Sequence, residues 1–329
     1  MHFLYHLKLK AYFNFTLYFF PAIIWVMSEK RSYYFERFSE SVTRRFEVER
    51  FYYRGKTEFQ YVECFHNTYF GKVLFLDKKI QSAQIDEYIY HESLVHPGLF
   101  THSSPKRALI LGGGEGATLR EVLRHQSVAK VTMVDIDREL VELCQKYLPE
   151  WSEGAFSNSK TDLIHADAHR YVEETQEKFD VVVSDLTEPL EGGPSLYLFT
   201  REFFKEIFDI LEEDGLLILQ AGSANPCYDH FFCSLAKTLE EVFPLVRPYW
   251  TFILSFGVPW GFILASKAED PLELTEGEVA ERMSRRGIRN LKFYNPGYHK
   301  ALFTLPLYLE KDLNKGRVLT NEQPFIWES

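Results

Sequence analysis

The segment Ala108-Leu109-Ile110-Leu111-Gly112-Gly113-Gly114-Glu115-Gly116-Ala117-Thr118-Leu119 constrains this chain more than any other. An apolar run ends in a glycine-rich turn, and helix-forming residues follow at once, which reads as a buried strand, a tight turn and a helix start. Gly112, Gly114 and Gly116 stand where the backbone must turn sharply and admit a ligand against bare main chain. The helix that follows directs its positive end at the same space. Glu115 is the unusual member. A loop built for pyrophosphate gains nothing from a carboxylate, whereas a loop built for a cationic ligand does.

After Pro105 the pattern alternates between strands and helices. Strands are expected near 107–111, 130–134, 161–165, 179–184, 215–220, 248–256 and 258–266, and helices near 117–125, 137–147, 167–175, 200–212 and 228–241. Such an order builds an α/β fold, a doubly wound, mostly parallel sheet with an antiparallel end. Upstream, Arg45 to Phe51 and Phe59 to Phe65 alternate with period two, and Val73-Leu74-Phe75-Leu76 meets a turn at Asp77-Lys78-Lys79. Residues 41–82 therefore predict three to five antiparallel strands, and Asp86 to Phe100 predicts a linking helix with Pro97 near its end. The expected organisation is a small antiparallel β domain over residues 28–96 and the α/β domain over residues 97–329.

Residues 1–27 differ. Ala11 to Met27 is apolar and aromatic but interrupted by Asn14, Thr16 and Pro21. It is short for a span of about 20 residues, and no small-residue cleavage site follows. Met27-Ser28-Glu29-Lys30 reads as a natural soluble start, so the stretch is read as a mis-assigned upstream start or a disordered extension, with a membrane anchor the less favoured reading. A net charge of −10 over 329 residues argues against nucleic-acid binding by long-range attraction and suits a cationic small molecule. Cys64, Cys144, Cys227 and Cys233 form no CxxC pair or zinc spacing, as expected of reduced thiols in a cytoplasmic protein.

In doubly wound sheets, ligands bind beyond the carboxyl ends of the strands. The second strand runs into Asp135, an acid about 20 residues past the glycine loop, the place that grips ribose hydroxyls. The loop with Asp135 signals a nucleoside, without separating NAD from an adenosyl sulfonium. Asp167, after the third strand, either accepts from an adenine amino group or caps the next helix. The fourth strand ends at Asp185 and leads to Glu188, followed by a loop with Gly192, Gly193 and Pro194 long enough to act as a lid. The two carboxylates suit acid–base work or a cation. A metal is not expected, because no histidine cluster accompanies them.

The motifs GGGEGATLREVL (112–123), MVDID (133–137) and DLTEPLEGGP (185–194), with the lead-in from Gly71 to Asp77 and from Asp86 to Glu92, resemble the polyamine aminopropyltransferases, the spermidine and spermine synthase family. The similarity runs from about Gln60 to Lys267. It implies a β domain joined to a methyltransferase-like Rossmann domain, and aminopropyl transfer from decarboxylated S-adenosylmethionine to an amine such as putrescine, agmatine or spermidine, releasing methylthioadenosine, with no prosthetic group. It also implies that Gln60, Gly112, Gly114, Asp135, Asp167, Ala168 and Pro194 hold the nucleoside and that Glu115 binds the donor's ammonium. Asp185 would be the catalytic acid/base residue, assisted by Tyr90. Gln81, Tyr90, His91 and the Asp185–Glu188 segment would line the acceptor channel, and the assembly would be a homodimer or homotetramer. Family members usually carry Asp where Glu115 and Glu188 stand, and Glu115 with Gln220-Ala221-Gly222 looks closer to thermospermine synthases and to triamine or agmatine aminopropyltransferases of heat-loving bacteria. The alternative is a small-molecule methyltransferase using ordinary S-adenosylmethionine, whose carboxylate would sit poorly beside Glu115.

Overall fold

The computed structural model describes residues 32–39 and 41–327, so the apolar stretch at 1–27 lies outside the described residues. Strands β1 (Ser32–Arg37) and β2 (Thr43–Val48) form an antiparallel hairpin. Strands β3 (Arg50–Lys56), β4 (Tyr61–Asn67), β5 (Gly71–Leu76) and β6 (Lys79–Ala83) form an antiparallel meander. Five of these lie in the stretch expected to hold three to five, and β1 precedes it. Alternation buries Tyr34, Phe46, Phe65 and Phe75 between hairpin and meander, with the Phe65 and Phe75 rings stacked at 5.3 Å. The β5–β6 turn is Asp77-Lys78, both at positive φ (45° and 69°), the conformation that lets a two-residue turn follow the strand twist.

Helix α1 (Glu87–Thr101) carries the chain onto the larger sheet. Pro97 inside it has no N–H to offer the carbonyl of Ser93 one turn back. The Tyr249 hydroxyl donates to that carbonyl instead, at 2.9 Å, so the helix continues and Leu94, Val95, Leu99 and Phe100 join the core.

The larger sheet contains β7 (Arg107–Gly112), β8 (Lys130–Val134), β9 (Thr161–Ile164), β10 (Phe179–Asp185), β11 (Leu211–Ser223), β12 (Leu245–Ile253) and β13 (Val258–Ser266). Their spatial order is β12-β13-β11-β10-β7-β8-β9. The five strands from β11 to β9 are parallel, and β12 and β13 add the antiparallel end. Helices α2 (Ala117–Arg124), α3 (Arg138–Tyr147), α4 (Pro149–Ser152), α5 (Ala168–Glu174), α6 (Arg201–Ile210) and α7 (His230–Glu240) cover its faces. Alternate residues of one strand serve opposite cores: Leu109 and Leu111 face α6 and α7, while Ala108 and Ile110 face α1 and α2. Strand β12 ends at Ile253, short of the expected 256, because the chain turns at Leu254–Gly257 with Gly257 at φ 69°.

The two parts of the chain meet through Leu74 and Leu76 of β5, which pack with Ala117, Leu140 and Trp151. The Trp151 indole N–H donates to Ser82 Oγ at 2.6 Å. Helices α8 (Glu276–Arg285), α9 (His299–Leu302) and α10 (Leu307–Asp312) complete the described residues, among which no helix is long and apolar enough to cross a membrane.

Candidate active site

From β7 the chain moves one way through β8 and β9, and then the other way through β10 and β11. A crevice opens where the order reverses, between the carboxyl ends of β7 and β10. Gly112 lies in register beside Asp185, and the Gly113 N–H donates to the Asp185 carbonyl at 3.0 Å. Gly112 has φ 78°, and a Cβ there would come within 2.4 Å of that carbonyl oxygen. At Gly114 a Cβ would meet Asp135 Oδ2 at 2.9 Å. Gly112 therefore excludes a side chain, and one at Gly114 would have to displace the Asp135 carboxylate.

Gln60, Gln81, Tyr90, Gly112, Gly114, Glu115, Asp135, Asp167, Ala168, Asp185, Glu188 and Pro194 all line this one cleft. His91 does not. Consecutive residues on a helix point about 100° apart, so Tyr90 faces the cleft while His91 turns into the protein. Its Nδ1 lies 3.0 Å from Glu87 Oε2, one turn back, and its Nε2 lies 2.6 Å from Glu115 Oε1. His91 thus stands behind Glu115 rather than along a channel.

At one end of the cleft, Asp135 is buried and accepts the Asp137 N–H at 2.8 Å. Burial pushes its carboxyl up to about 6, against the backbone N–H of Asp137 but with the help of the nearby Asp137 and Asp185 charges. Asp137 caps α3 by accepting the Leu140 N–H at 2.9 Å through Oδ1, and its Oδ2 accepts Gln60 Nε2 at 2.9 Å and Thr57 Oγ1 at 2.6 Å. One carboxylate therefore fixes both a helix of the large sheet and the glutamine contributed by the β meander. Asp167 combines the two roles open to it from sequence: it caps α5 through the Arg170 N–H at 3.1 Å and also lines the cleft.

In the middle, both oxygens of Asp185 are held. Oδ1 accepts the Tyr90 hydroxyl at 2.7 Å and Oδ2 accepts Thr118 Oγ1 at 2.6 Å. Burial, reinforced by the Asp185 charge, pushes the Tyr90 phenol well above its ordinary pKa, so Tyr90 is a donor here at all physiological pH values. Burial likewise raises the Glu115 carboxyl, with His91 opposing and the Asp185 and Glu87 charges adding to it.

The far end is aromatic. Phe256 lies 5.9 Å from Tyr90 and 4.8 Å from Trp260, ring centre to ring centre, and Ile80, Gln81 and Glu188 line the same cleft. The segment after Asp185 is tied down at three carbonyls: Gln220 Nε2 donates to Leu186 at 2.6 Å, Ser195 Oγ to Glu188 at 3.1 Å, and the Trp327 N–H to Pro189 at 2.8 Å. Burial raises the Glu188 carboxyl, and Lys79 pulls it back.

Thr118, Asp137, Phe256 and Trp260 were not singled out from sequence. Thr118 sits inside the glycine motif and Asp137 inside MVDID, so both were within reach; the aromatic pair comes from the antiparallel end, where no motif marks it. Away from the cleft, His102, Asp180 and Asp214 bring potential ligand atoms within 4.8 Å of one another. His102 Nδ1 accepts the Ser104 N–H at 3.1 Å, which leaves the ring proton on Nε2 and suits a hydrogen bond more than a metal.

Residues 87–274 match the spermine/spermidine synthase domain, and residues 33–84 match the spermidine synthase tetramerisation domain. The chain belongs to the spermine/spermidine synthase family. It is 43% identical over 279 residues to polyamine aminopropyltransferase 2 of Hyperthermus butylicus, covering 84% of this chain and 91% of that one. Identity to the polyamine aminopropyltransferase of Sulfolobus acidocaldarius is 43% over 278 residues, covering 84% and 92%. Among solved structures, a spermidine synthase in complex with the transition-state analogue AdoDATO superposes with a TM-score of 0.80 at 33% identity, covering 87% of this chain and 96% of that one. Spermidine synthase from Thermotoga maritima superposes with a TM-score of 0.79, with the same identity and coverage.

Proposed function

We propose that the cleft binds decarboxylated S-adenosylmethionine along the glycine loop and a linear aliphatic amine at its aromatic end, with Asp185 between them as proton acceptor. As a member of the spermine/spermidine synthase family, the chain is an aminopropyltransferase of polyamine biosynthesis. The observation that carries the site assignment is the placement of Glu115, in the loop after β7, and Asp185, at the tip of the adjoining β10, in one cleft with Asp135 and the Phe256–Trp260 pair.

In this reading the ribose hydroxyls donate to Asp135, the adenine lies near Asp167 and Ala168, and Gln60 and Pro194 close over the nucleoside. Glu115 receives the aminopropyl ammonium. The donor carries no carboxylate, so an acid in the loop attracts it, whereas it would repel ordinary S-adenosylmethionine. The acceptor nitrogen attacks the methylene carbon next to the sulfonium. A C–N bond forms as the C–S bond breaks, the electron pair goes to sulfur, and neutral methylthioadenosine leaves. An aliphatic amine with a pKa of about 10.4 is mostly protonated at pH 7. Asp185, oriented by Tyr90 and Thr118, takes up the proton the nucleophile must lose. Gln81, Glu188 and the aromatic faces grip the non-reacting part of the acceptor.

The same proposal places the protein in the cytoplasm as a homodimer or homotetramer built through residues 28–96, with residues 97–329 forming the Rossmann-like domain. Incubating the protein with decarboxylated donor and putrescine, agmatine, spermidine or norspermidine in turn, and separating the products by chromatography, tests the reading. Methylthioadenosine should appear in equal amount with an aminopropylated amine. Methylated amine formed from ordinary S-adenosylmethionine would establish the alternative.

A further inference from the structure

The β1–β2 hairpin lies outside the cleft, yet it holds two separate segments that line the cleft's aromatic end. Arg44, on β2, donates through Nη1 to the carbonyls of Ser255 at 2.9 Å and Phe256 at 2.5 Å. These belong to the β12–β13 turn that carries Phe256 into the cleft. Through Nη2 the same guanidinium pairs with Glu36 Oε2 of β1 at 2.5 Å, and Glu36 Oε1 accepts the Ile80 N–H at 3.1 Å. Ile80 lines the same cleft and belongs to the same apolar cluster as Phe256. Next to it, Lys79 Nζ donates to the Arg37 carbonyl at 2.6 Å. The Arg44 guanidinium is itself flanked by the Phe38 and Phe46 rings at 5.1 and 5.6 Å, and Gly257 leaves it room, since a Cβ there would lie 3.0 Å from Nη1.

A buried ion pair contributes little net stability, because desolvation offsets the attraction, and the aromatic packing of the hairpin needs no charge. Glu36 is only 3% exposed. What the pair does supply is geometry: each charged side chain ends on backbone groups of a cleft-lining segment, Glu36 on β6 at Ile80 and Arg44 on the β12–β13 turn. The planar fork of arginine, with donors in fixed directions, is suited to holding two carbonyls and a carboxylate at once.

We propose that Glu36 and Arg44 are positioning residues that set the width of the acceptor end and thereby the enzyme's affinity for, and choice among, amines. This rests on the reading that the amine binds beside Phe256 and Trp260. The hairpin falls within the residues that match the tetramerisation domain, so the pair links that domain to acceptor recognition within one chain.

Steady-state kinetics of Arg44→Gln and Arg44→Lys test the assignment, with methylthioadenosine binding and melting temperature measured alongside. Arg44→Gln should raise the acceptor KM by about tenfold and narrow the ratio of kcat/KM values between short and long amines, while the donor KM and methylthioadenosine affinity stay within about twofold. Arg44→Lys keeps the charge beside Glu36 but loses the fork, and should show a smaller rise of the same kind; it decides the matter if Arg44→Gln does not fold. Donor and acceptor KM rising together, or neither rising in a folded variant, would overturn the proposal. Absence of methylthioadenosine release by the unmutated enzyme with every amine would instead remove the reading on which it rests.

Discussion

His91 Nε2 lies 2.6 Å from Glu115 Oε1, inside the protein and behind the glycine loop. Burial alone would keep that imidazole neutral, but Glu115 on one side and Glu87 on the other outweigh it and hold its pKa up to about 10. Arg120 anchors the outer end, 2.9 Å from Glu87. The Glu115 carboxylate, which also lines the cleft, is thus held by a cation from behind.

A raised histidine pKa stabilises the fold fully below the ordinary value near 6.5, and that contribution is lost as pH rises toward 10. Denaturation free energy should therefore fall between pH 7 and pH 10 in the unmutated protein. In His91→Ala that part of the slope should vanish, along with about 3–5 kcal/mol of stability from leaving the buried Glu115 carboxylate unpaired, since Glu87 keeps Arg120. Denaturant titrations across this range read both effects.

Glu115→Gln removes a charge that methylthioadenosine does not need. Affinity for decarboxylated donor should drop by about tenfold or more, while methylthioadenosine affinity changes far less. Calorimetric titration of the variant with both ligands checks this, and equal losses would mean that Glu115 serves only to shape the loop.

Asp135 gives a second pH signature, of opposite sense. Its carboxyl titrates near 6 because burial and the Asp137 and Asp185 charges disfavour ionisation. Ribose hydroxyls donate best to the ionised form, so methylthioadenosine should bind progressively more weakly as pH falls below about 6. Asp135→Asn should bind weakly at every pH, without that step.

The legible parts of the molecule were those written in local pattern. The ends of the parallel strands, with Gly112 and Asp185 at their tips, Asp135 one residue beyond and Asp167 capping the helix that follows, are legible as apolar runs leading into acids or glycine, and parallel pairing brings them to one edge. The β1 strand was missed because its partner lies across a short loop and its outward residues Tyr33 and Phe35 blur the alternation. Tyr90 and His91 were assigned together although adjacent helical residues diverge. Phe256 and Arg44 lie 212 residues apart in the chain, and nothing local in either predicts that they meet.

The C-terminal segment shows the same long-range dependence. The Trp327 N–H holds the Pro189 carbonyl, and its ring packs against Phe231, 5.6 Å centre to centre. Truncation after Gln323 should speed amide hydrogen exchange in residues 190–196 while leaving β7 and β10 protected. Exchange followed by mass spectrometry distinguishes this local release from global loosening.

Replacing Asp185 by Asn tests most directly whether this carboxylate takes the proton from the attacking amine. Asparagine keeps the shape and can still accept from Tyr90 or Thr118, but it cannot serve as the base. Turnover with decarboxylated donor and the preferred amine should fall by about a hundredfold or more, while methylthioadenosine affinity remains within about twofold. Turnover close to that of the unmutated enzyme would contradict the role of Asp185.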